Sequence, residues 1–293
     1  MGQNPTVGLL CTPFSNPEAV AQGEPATVII ATTSEIGSRT LAQALIRTQS
    51  FDSTGIHLNN SPVYQRDSLL LTFFEGTIVN PPSLDDFFSP KAYIFLSRHS
   101  AESGIPSLTA HTTGNFSDKA ELGGMARELG RADPGLLKDY MIALTNRSER
   151  VPDYEITVEA THHGPTSLSR PVLFVELGST SKQWGDKNAA EVVADALVDA
   201  LTKRAIWDKV AIGFGGTHYP KKIKEAVVKG EFAVSFIAPK YVLEYVNEVM
   251  IEQMIQKTMG PVRFALVDWK GLGPHKEKLL KAISKFGLEV VRL

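Results

Sequence analysis

Two adjacent imidazoles stand in the run Glu159-Ala160-Thr161-His162-His163-Gly164-Pro165-Thr166-Ser167, which interrupts a strand-like segment, Tyr154–Val158. Imidazole changes protonation near neutral pH and is the commonest metal ligand, while Gly-Pro ends a strand and turns the backbone. The same design recurs along the chain. Ala92–Leu96 runs into Ser97-Arg98-His99-Ser100, and the loop beyond carries Leu108-Thr109-Ala110-His111-Thr112-Thr113-Gly114-Asn115. Val172–Leu177 contains Glu176 and runs into Gly178-Ser179-Thr180; Val210–Phe214 runs into Gly215-Gly216-Thr217-His218-Tyr219; Phe264–Val267 runs into Asp268-Trp269-Lys270-Gly271. Five of the seven histidines, His99, His111, His162, His163 and His218, thus follow strands beside glycine, serine or threonine. Open parallel α/β sheets bind ligands outside the carboxyl ends of their strands. Histidines that only fill a core or decorate a surface have no reason to gather there, so the five are expected to share one site.

Their chemistry has two forms. A catalytic zinc takes three protein ligands, leaves a position for water and lowers the pKa of that water to about 7. Histidines from several of these loops, with Glu159 or Glu176, make a candidate ligand set. The spacing matches no compact zinc signature, and a metal-free route with one histidine as general base stays open. Gly114-Asn115, Gly178-Ser179 and Gly215-Gly216 offer backbone N–H groups for an oxyanion or a phosphate. None of these pairs is a nucleotide fingerprint. The chain has no P-loop, no Gly-x-Gly-x-x-Gly opening a helix and no Gly-x-Ser-x-Gly elbow.

The net charge of -2 gives no general affinity for nucleic acid, so an anionic partner needs a local basic patch. Lys221-Lys222-Ile223-Lys224 begins three residues after His218, inside a lysine-rich stretch between Leu201 and Lys240. It reads either as a phosphate-binding surface beside the site or as a solvated helix face.

The elements that must position these residues alternate. Thr27–Ala31 reads as a buried strand, and Ser34 as the cap of a helix with Ile36, Leu41, Leu45 and Ile46 on its apolar side. Strands are expected at Leu69–Phe74, Ala92–Leu96, Tyr154–Val158, Val172–Leu177, Lys209–Phe214, Phe232–Ile237, Arg263–Val267 and Leu288–Val291. Helices are expected at Pro134–Thr145, Lys187–Lys203, Lys221–Val228, Tyr241–Gln256 and Lys276–Lys285. The pattern predicts an α/β fold, a mostly parallel or mixed sheet flanked by helices, in residues 27–293, with two lobes as one arrangement. At 293 residues and 43% hydrophobic content the chain builds a substantial core. No run approaches the roughly 18 apolar residues of a membrane span. The single cysteine, Cys11, forms no internal disulfide and no cysteine zinc site, and suits a reducing cytoplasm. Residues 1–26 read as an extension, with four prolines and no basic residue before Arg39. That composition fits neither a secretory signal nor a transit peptide, and Met1-Gly2 formally fits an N-myristoylation pattern that chance often meets.

Taken together, Ser97-Arg98-His99-Ser100, Leu108-Thr109-x-His111-x-Thr113-Gly114-Asn115, Glu159-Ala-Thr-His-His-Gly-Pro-Thr166, Glu176-Leu-Gly-Ser179, Gly215-Gly-x-His-Tyr219 and Val267-Asp-Trp-Lys-Gly271 resemble the signature blocks of the D-aminoacyl-tRNA deacylases of archaeal and plant type. The blocks fall in family order from about Thr27 to the end. The resemblance implies hydrolysis of the ester joining a D-amino acid to tRNA, a chirality check on translation in the cytoplasm. It also implies zinc dependence and a core similar to that of peptidyl-tRNA hydrolases and nucleoside phosphorylases, with a smaller added α/β lobe. On that basis His99, His163, His218 and Glu159 are expected at the reacting centre. The expected metal ligands come from His99, His111, His162, His218 and Glu176. Lys221, Lys222 and Lys224 are expected to hold tRNA, and the chain to act as a monomer. Two other readings use the same crevice: a metal-dependent hydrolase or phosphorylase of a small nucleoside-like substrate, and a non-catalytic tRNA-binding module. The family usually begins at the first strand, so residues 1–26 and Cys11 inherit no role.

Overall fold

A computed structural model describes residues 26–58 and 60–293. The expected extension, except Ala26, and Cys11 with the myristoylation pattern lie outside the described residues. The first half of the chain forms β1 (Thr27–Thr32), α1 (Ile36–Thr48), β2 (Asp52–Leu58), β3 (Ser61–Arg66), β4 (Leu69–Phe74), β5 (Ala92–Ser100), β6 (Ser107–His111), β7 (Gly114–Asn115), β8 (Glu128–Leu129) and α2 (Pro134–Thr145). It continues with β9 (Glu155–Val158), β10 (Val172–Ser179), α3 (Ser181–Trp184), α4 (Lys187–Thr202), β11 (Lys209–Phe214), α5 (Lys221–Val228) and β12 (Phe232–Ala238). It closes with α6 (Glu248–Gln256), β13 (Phe264–Val267), α7 (Lys276–Ile283) and β14 (Glu289–Arg292).

The strands form an eight-stranded sheet in the order β2-β3-β4-β1-β5-β10-β6-β9 and a four-stranded sheet in the order β12-β11-β13-β14. β7 pairs only with β8. This is the mixed α/β architecture expected, with the smaller sheet entirely parallel.

The helices form where sequence signals are local. Pro134 occupies the first turn of α2, where its missing N–H is no loss, and the Asp133 side chain accepts from Leu136 N at 3.0 Å. Asp186 caps α4 in the same way through Ala189 N at 3.0 Å. In α4 the residues at i, i+3 and i+4, such as Ala189, Val192, Val193, Ala196 and Leu197, are buried as one stripe. That stripe packs on one face of the large sheet, where Ile29, Ala31, Ile94, Leu96, Val175 and Val158 share its core.

The opposite face of the large sheet carries the site. Side chains two apart on a strand share a face. Below, Phe95 and Phe174 stack at 5.0 Å among Val28, Ile30 and Tyr93. Above them the same face turns polar: Ser97 and His99 from β5, Glu176 from β10, Thr109 and His111 from β6, Thr157 in β9 and Glu159 just after it. All seven are buried.

Several expectations need correction. Ser34 does not cap α1: Glu35 is the cap residue and makes no side-chain cap bond, while Ser34 Oγ accepts from Gly76 N at 3.3 Å. Ile36, the first residue of α1, is exposed and not on the buried side of the helix. The span Tyr241–Gln256 is not one helix; a 3-10 turn at Lys240–Val242 precedes α6, which Asn247 caps through Met250 N at 3.1 Å. The hairpin β2–β3 has no counterpart among the expected strands, because an edge hairpin with Gly55 and Pro62 and mostly half-exposed residues has a weak apolar signal.

Ser107–His111, which the sequence places in a loop, is a strand, and this changes the geometry. β6 runs antiparallel to β10, while β9 runs parallel to β6. The carboxyl ends of β6 and β9 therefore point against those of β5 and β10. His111 lies level with Phe174, Thr109 with Glu176, and His99 with Gly178. The histidines meet over the middle of a sheet face and not outside one row of strand ends.

Candidate active site

β5 and β10 deliver His99 and Glu176, and the turn after β9 delivers Glu159. His99 Nδ1 lies 3.1 Å from Glu159 Oε1 and 3.4 Å from Glu176 Oε2. Its other nitrogen, Nε2, is 2.9 Å from the hydroxyl of Tyr219. Gly178 permits this arrangement, because a Cβ there would stand 2.3 Å from the carbonyl oxygen of His99.

His218 arrives from the four-stranded sheet, after β11. Its Nε2 is 2.7 Å from Glu159 Oε2 and its Nδ1 is 3.1 Å from the hydroxyl of Tyr241. Backbone bonds hold the two sheets in register here. Ala160 N donates to His218 O at 2.8 Å, and Thr161 N donates to Ile237 O at 3.0 Å. The Thr161 hydroxyl accepts from Ile237 N at 3.0 Å and meets the Thr112 hydroxyl at 2.8 Å.

His111, His162 and His163 form a separate imidazole group. One ligand nitrogen from each lies within 4.8 Å of the others. Their Nδ1 atoms contact the carbonyl oxygens of Thr112 at 3.1 Å, Ala160 at 2.8 Å and Gly164 at 2.7 Å. A carbonyl only accepts, so each Nδ1 carries its proton and, in the neutral rings, leaves Nε2 a lone pair. His163 adopts a left-handed backbone, φ 41°, which is uncommon outside glycine and marks a constrained position.

The electrostatics divide the site. Burial favours neutral Glu176 and Glu159, but the histidines beside them outweigh it. Glu176 is held at about 2, chiefly by His111 and His99, and Glu159 well below the usual carboxylate range, chiefly by His218 and His99. Burial opposes charge on His99 too, and the two carboxylates overcome it, raising the ring to about 10. Glu176 likewise raises His111 against its burial. His162 and His163 go the other way. Burial and the neighbouring His111 keep His162 well below its ordinary value and bring His163 to about 4.

The donor set fits a zinc ion. His111 Nε2 is buried and has no hydrogen-bond partner, since Glu176 Oε1 at 3.7 Å is too far. A buried ring nitrogen without a partner, beside two imidazoles held neutral and each with its Nδ1 fixed by a carbonyl, is the arrangement a metal-ligating histidine requires. Two further groups of ligand atoms lie alongside: Glu159 with His162 and His218, and His99 with Glu159 and Glu176. His163, expected at the reacting centre, groups with ring nitrogens, whereas His99 faces two carboxylates and a tyrosine.

All seven expected histidines and glutamates of the site therefore converge. In the glycine pairs the Gly114 and Gly215 amides are already bonded. Gly114 N donates to His163 O at 2.7 Å, and Asn115 Nδ2 to Gly123 O at 2.8 Å. Gly215 N donates to Ala238 O at 2.8 Å, while Gly216 O accepts from Lys240 N at 2.9 Å. Gly178 lies in the ladder between β5 and β6, and Ser179 Oγ donates to Ile105 O at 2.6 Å. Of the three lysines, Lys222 is tied to Asp268 Oδ1 at 3.0 Å and to Leu293 O at 2.9 Å, which leaves Lys221 and Lys224 as outward cations. Tyr219 and Tyr241 join the site without a role assigned from sequence. Tyr219 has a signal, standing next to His218; Tyr241 follows the end of β12 and is concealed by a helix-like run.

A family model for D-aminoacyl-tRNA deacylase matches residues 87–291. A D-aminoacyl-tRNA deacylase from Cenarchaeum symbiosum (strain A) is 42% identical over 223 residues, covering 74% of this chain and 86% of its own. One from Thermococcus onnurineus (strain NA1) is 32% identical over 273 residues, covering 90% and 99%. The crystal structure of a conserved protein of unknown function superposes with a TM-score of 0.84 at 27% identity, covering 93% of this chain and 96% of its own. With the ordered signature blocks folded into one buried histidine–glutamate site, the chain belongs to the D-aminoacyl-tRNA deacylase family.

Proposed function

We propose that this chain hydrolyses the ester bond of D-aminoacyl-tRNA in the cytoplasm, releasing the D-amino acid and free tRNA, with zinc held by His111, His162 and His163. The observation that carries the reading is the pairing of Glu159 with His218 beside that imidazole group. When bound, zinc would act as a Lewis acid that polarises an oxygen at the reacting centre.

The chain's own residues supply the rest. Glu159 accepts from His218 Nε2–H, so His218 Nδ1 is the basic nitrogen, now accepting from Tyr241. A water presented to Nδ1 gives up its proton there as its oxygen attacks the ester carbonyl. Glu159 stabilises the imidazolium that forms, and the same proton then returns to the departing ribose oxygen. Protonated His99 sets its charged Nδ1 edge against the two carboxylates and donates from Nε2 to Tyr219. The Tyr219 hydroxyl, accepting on its oxygen, is free to donate its proton toward the developing oxyanion. No covalent nucleophile is needed, because an aminoacyl ester is already activated. Lys221 and Lys224, on α5 just beyond His218, suit contact with the tRNA backbone.

The test is ester loss from matched D- and L-aminoacyl-tRNA with zinc present. Fast release from the D form and slow release from the L form is expected; equal rates, or none, would remove the reading.

A further inference from the structure

A second cavity of about 580 Å³ opens at the amino ends of β1, β5 and β10. Among the described residues its lining includes Lys91, Arg131, Arg170, Arg204 and Lys257, against a single carboxylate, Asp133. None of its residues belongs to the histidine site. His99 lies seven residues along β5 from Ala92 in the cavity wall, roughly 23 Å at 3.3 Å per residue.

The cations are not all answered within the protein. Arg204 pairs with Asp133 at 2.9 Å and Asp139 at 3.1 Å, and Lys257 pairs with Glu128 at 3.3 Å. Among the described residues Arg170 has only the Ser89 hydroxyl, at 3.1 Å. Lys91, Arg131 and Arg170 have no ion-pair partner among the described residues. Like charges around one concavity repel, and the local positive potential favours an anion. Guanidinium groups match phosphate oxygens with two parallel N–H donors.

The frame beneath them is fixed. Lys91 N donates to Ala26 O at 3.0 Å, Val172 N to Arg131 O at 2.9 Å, Ala132 N to Lys257 O at 2.9 Å, and Met259 N to Ala132 O at 2.8 Å. Separate chain segments are thus stitched together at the cavity. At its mouth stand two apolar side chains that burial has not claimed, Ile206 at 92% and Met259 at 49% exposure. A bare phosphate has no use for them, whereas a flat nucleobase or similar body would cover both.

We propose that this cavity is a second ligand site for a phosphate-bearing molecule of about nucleotide size. Its phosphates rest on Lys91, Arg131 and Arg170, and its apolar body lies against Ile206 and Met259. The phosphate belongs either to a free nucleotide or to the RNA backbone.

Calorimetric titration of the full chain with ADP, adenosine and inorganic pyrophosphate tests this. ADP should bind at least about tenfold more tightly than adenosine, which lacks the charge, and than pyrophosphate, which lacks the apolar body. The double variant R131E/R170E should lose ADP affinity by at least about tenfold, with R131Q/R170Q in between. Both side chains are exposed, so circular dichroism should show the fold retained. Displacement of ADP by uncharged tRNA would make RNA the phosphate source, and absence of displacement a free nucleotide; either result keeps the site. Failure of ADP to bind, adenosine or pyrophosphate binding as tightly as ADP, or unchanged ADP affinity in folded R131E/R170E would overturn it.

Discussion

Glu159 Oε2 lies 2.7 Å from His218 Nε2, and this hydrogen bond joins the eight-stranded sheet to the four-stranded one at the centre of the site. The Glu159 side chain is only 1% exposed while that of His218 keeps 32% exposure. One partner is a fixed charge and the other meets the solvent side, the division a carboxylate-oriented base requires.

Glu159→Gln should lower kcat by about 10²–10⁴-fold, the usual range for losing a general base or its orienting charge. Tyr219→Phe should reduce kcat by about 10²–10³-fold if its hydroxyl stabilises the oxyanion, with KM little changed. Single-turnover rates on D-aminoacyl-tRNA check both. Near-normal turnover in either variant would take that residue out of the chemistry.

Chelation should abolish activity and lower the melting temperature, and zinc should restore both, since a ligand of the folded state stabilises it by mass action. His163→Ala should reduce bound zinc as well as rate. His57→Ala and His275→Ala should do neither, because His57 lies in the edge hairpin and His275 in a 3-10 turn before α7. Metal content measured on each purified variant decides it; retained zinc in a slow His163→Ala variant would make His163 a base or orienter instead.

The lysines of α5 should separate. Lys221→Ala with Lys224→Ala should flatten the salt dependence of tRNA binding by about 0.7–0.9 in log–log slope for each phosphate no longer neutralised. Lys222→Ala should instead lower stability, by about 0.5–1 kcal/mol after discounting for its partial exposure, because its bonds to Asp268 and Leu293 disappear. Equal salt slopes in wild type and the double variant would return Lys221 and Lys224 to a solvated face.

Asp199 on α4 takes hydrogen bonds from Lys203 and from Arg147 beyond α2, and these, against slight burial, hold its carboxyl below the usual aspartate value. A depressed folded pKa contributes stability above the unfolded value of 3.8 that is lost as pH falls through the folded one. Melting temperatures should therefore drop less in Asp199→Asn than in wild type as pH falls below about 4. Parallel curves for the two proteins would show that these bonds contribute nothing. The effect is small, about 0.2–1 kcal/mol, because the group is partly exposed.

The sequence by itself determined the alternation of strands and helices, the opening of α2 at Pro134, and the identity of all seven histidines and glutamates of the site. Those features are local: a helix-opening proline, a period of two or 3.6, and blocks whose residue types carry the chemistry. Strand direction was not local. Nothing in Ser107–His111 states that it pairs antiparallel with β10, because pairing direction depends on a partner more than sixty residues away. Tertiary structure therefore decided that His111 stands level with Phe174, that His163 groups with ring nitrogens and His99 with carboxylates, and that the amides of Gly114 and Gly215 are already bonded. It also decided that Lys222 holds the chain's last residue, and that Lys91, Arg131 and Arg170, far apart in sequence, face one cavity. Charge, tautomer and hydrogen-bond partner belong to the neighbours of a residue, and only folding chooses the neighbours.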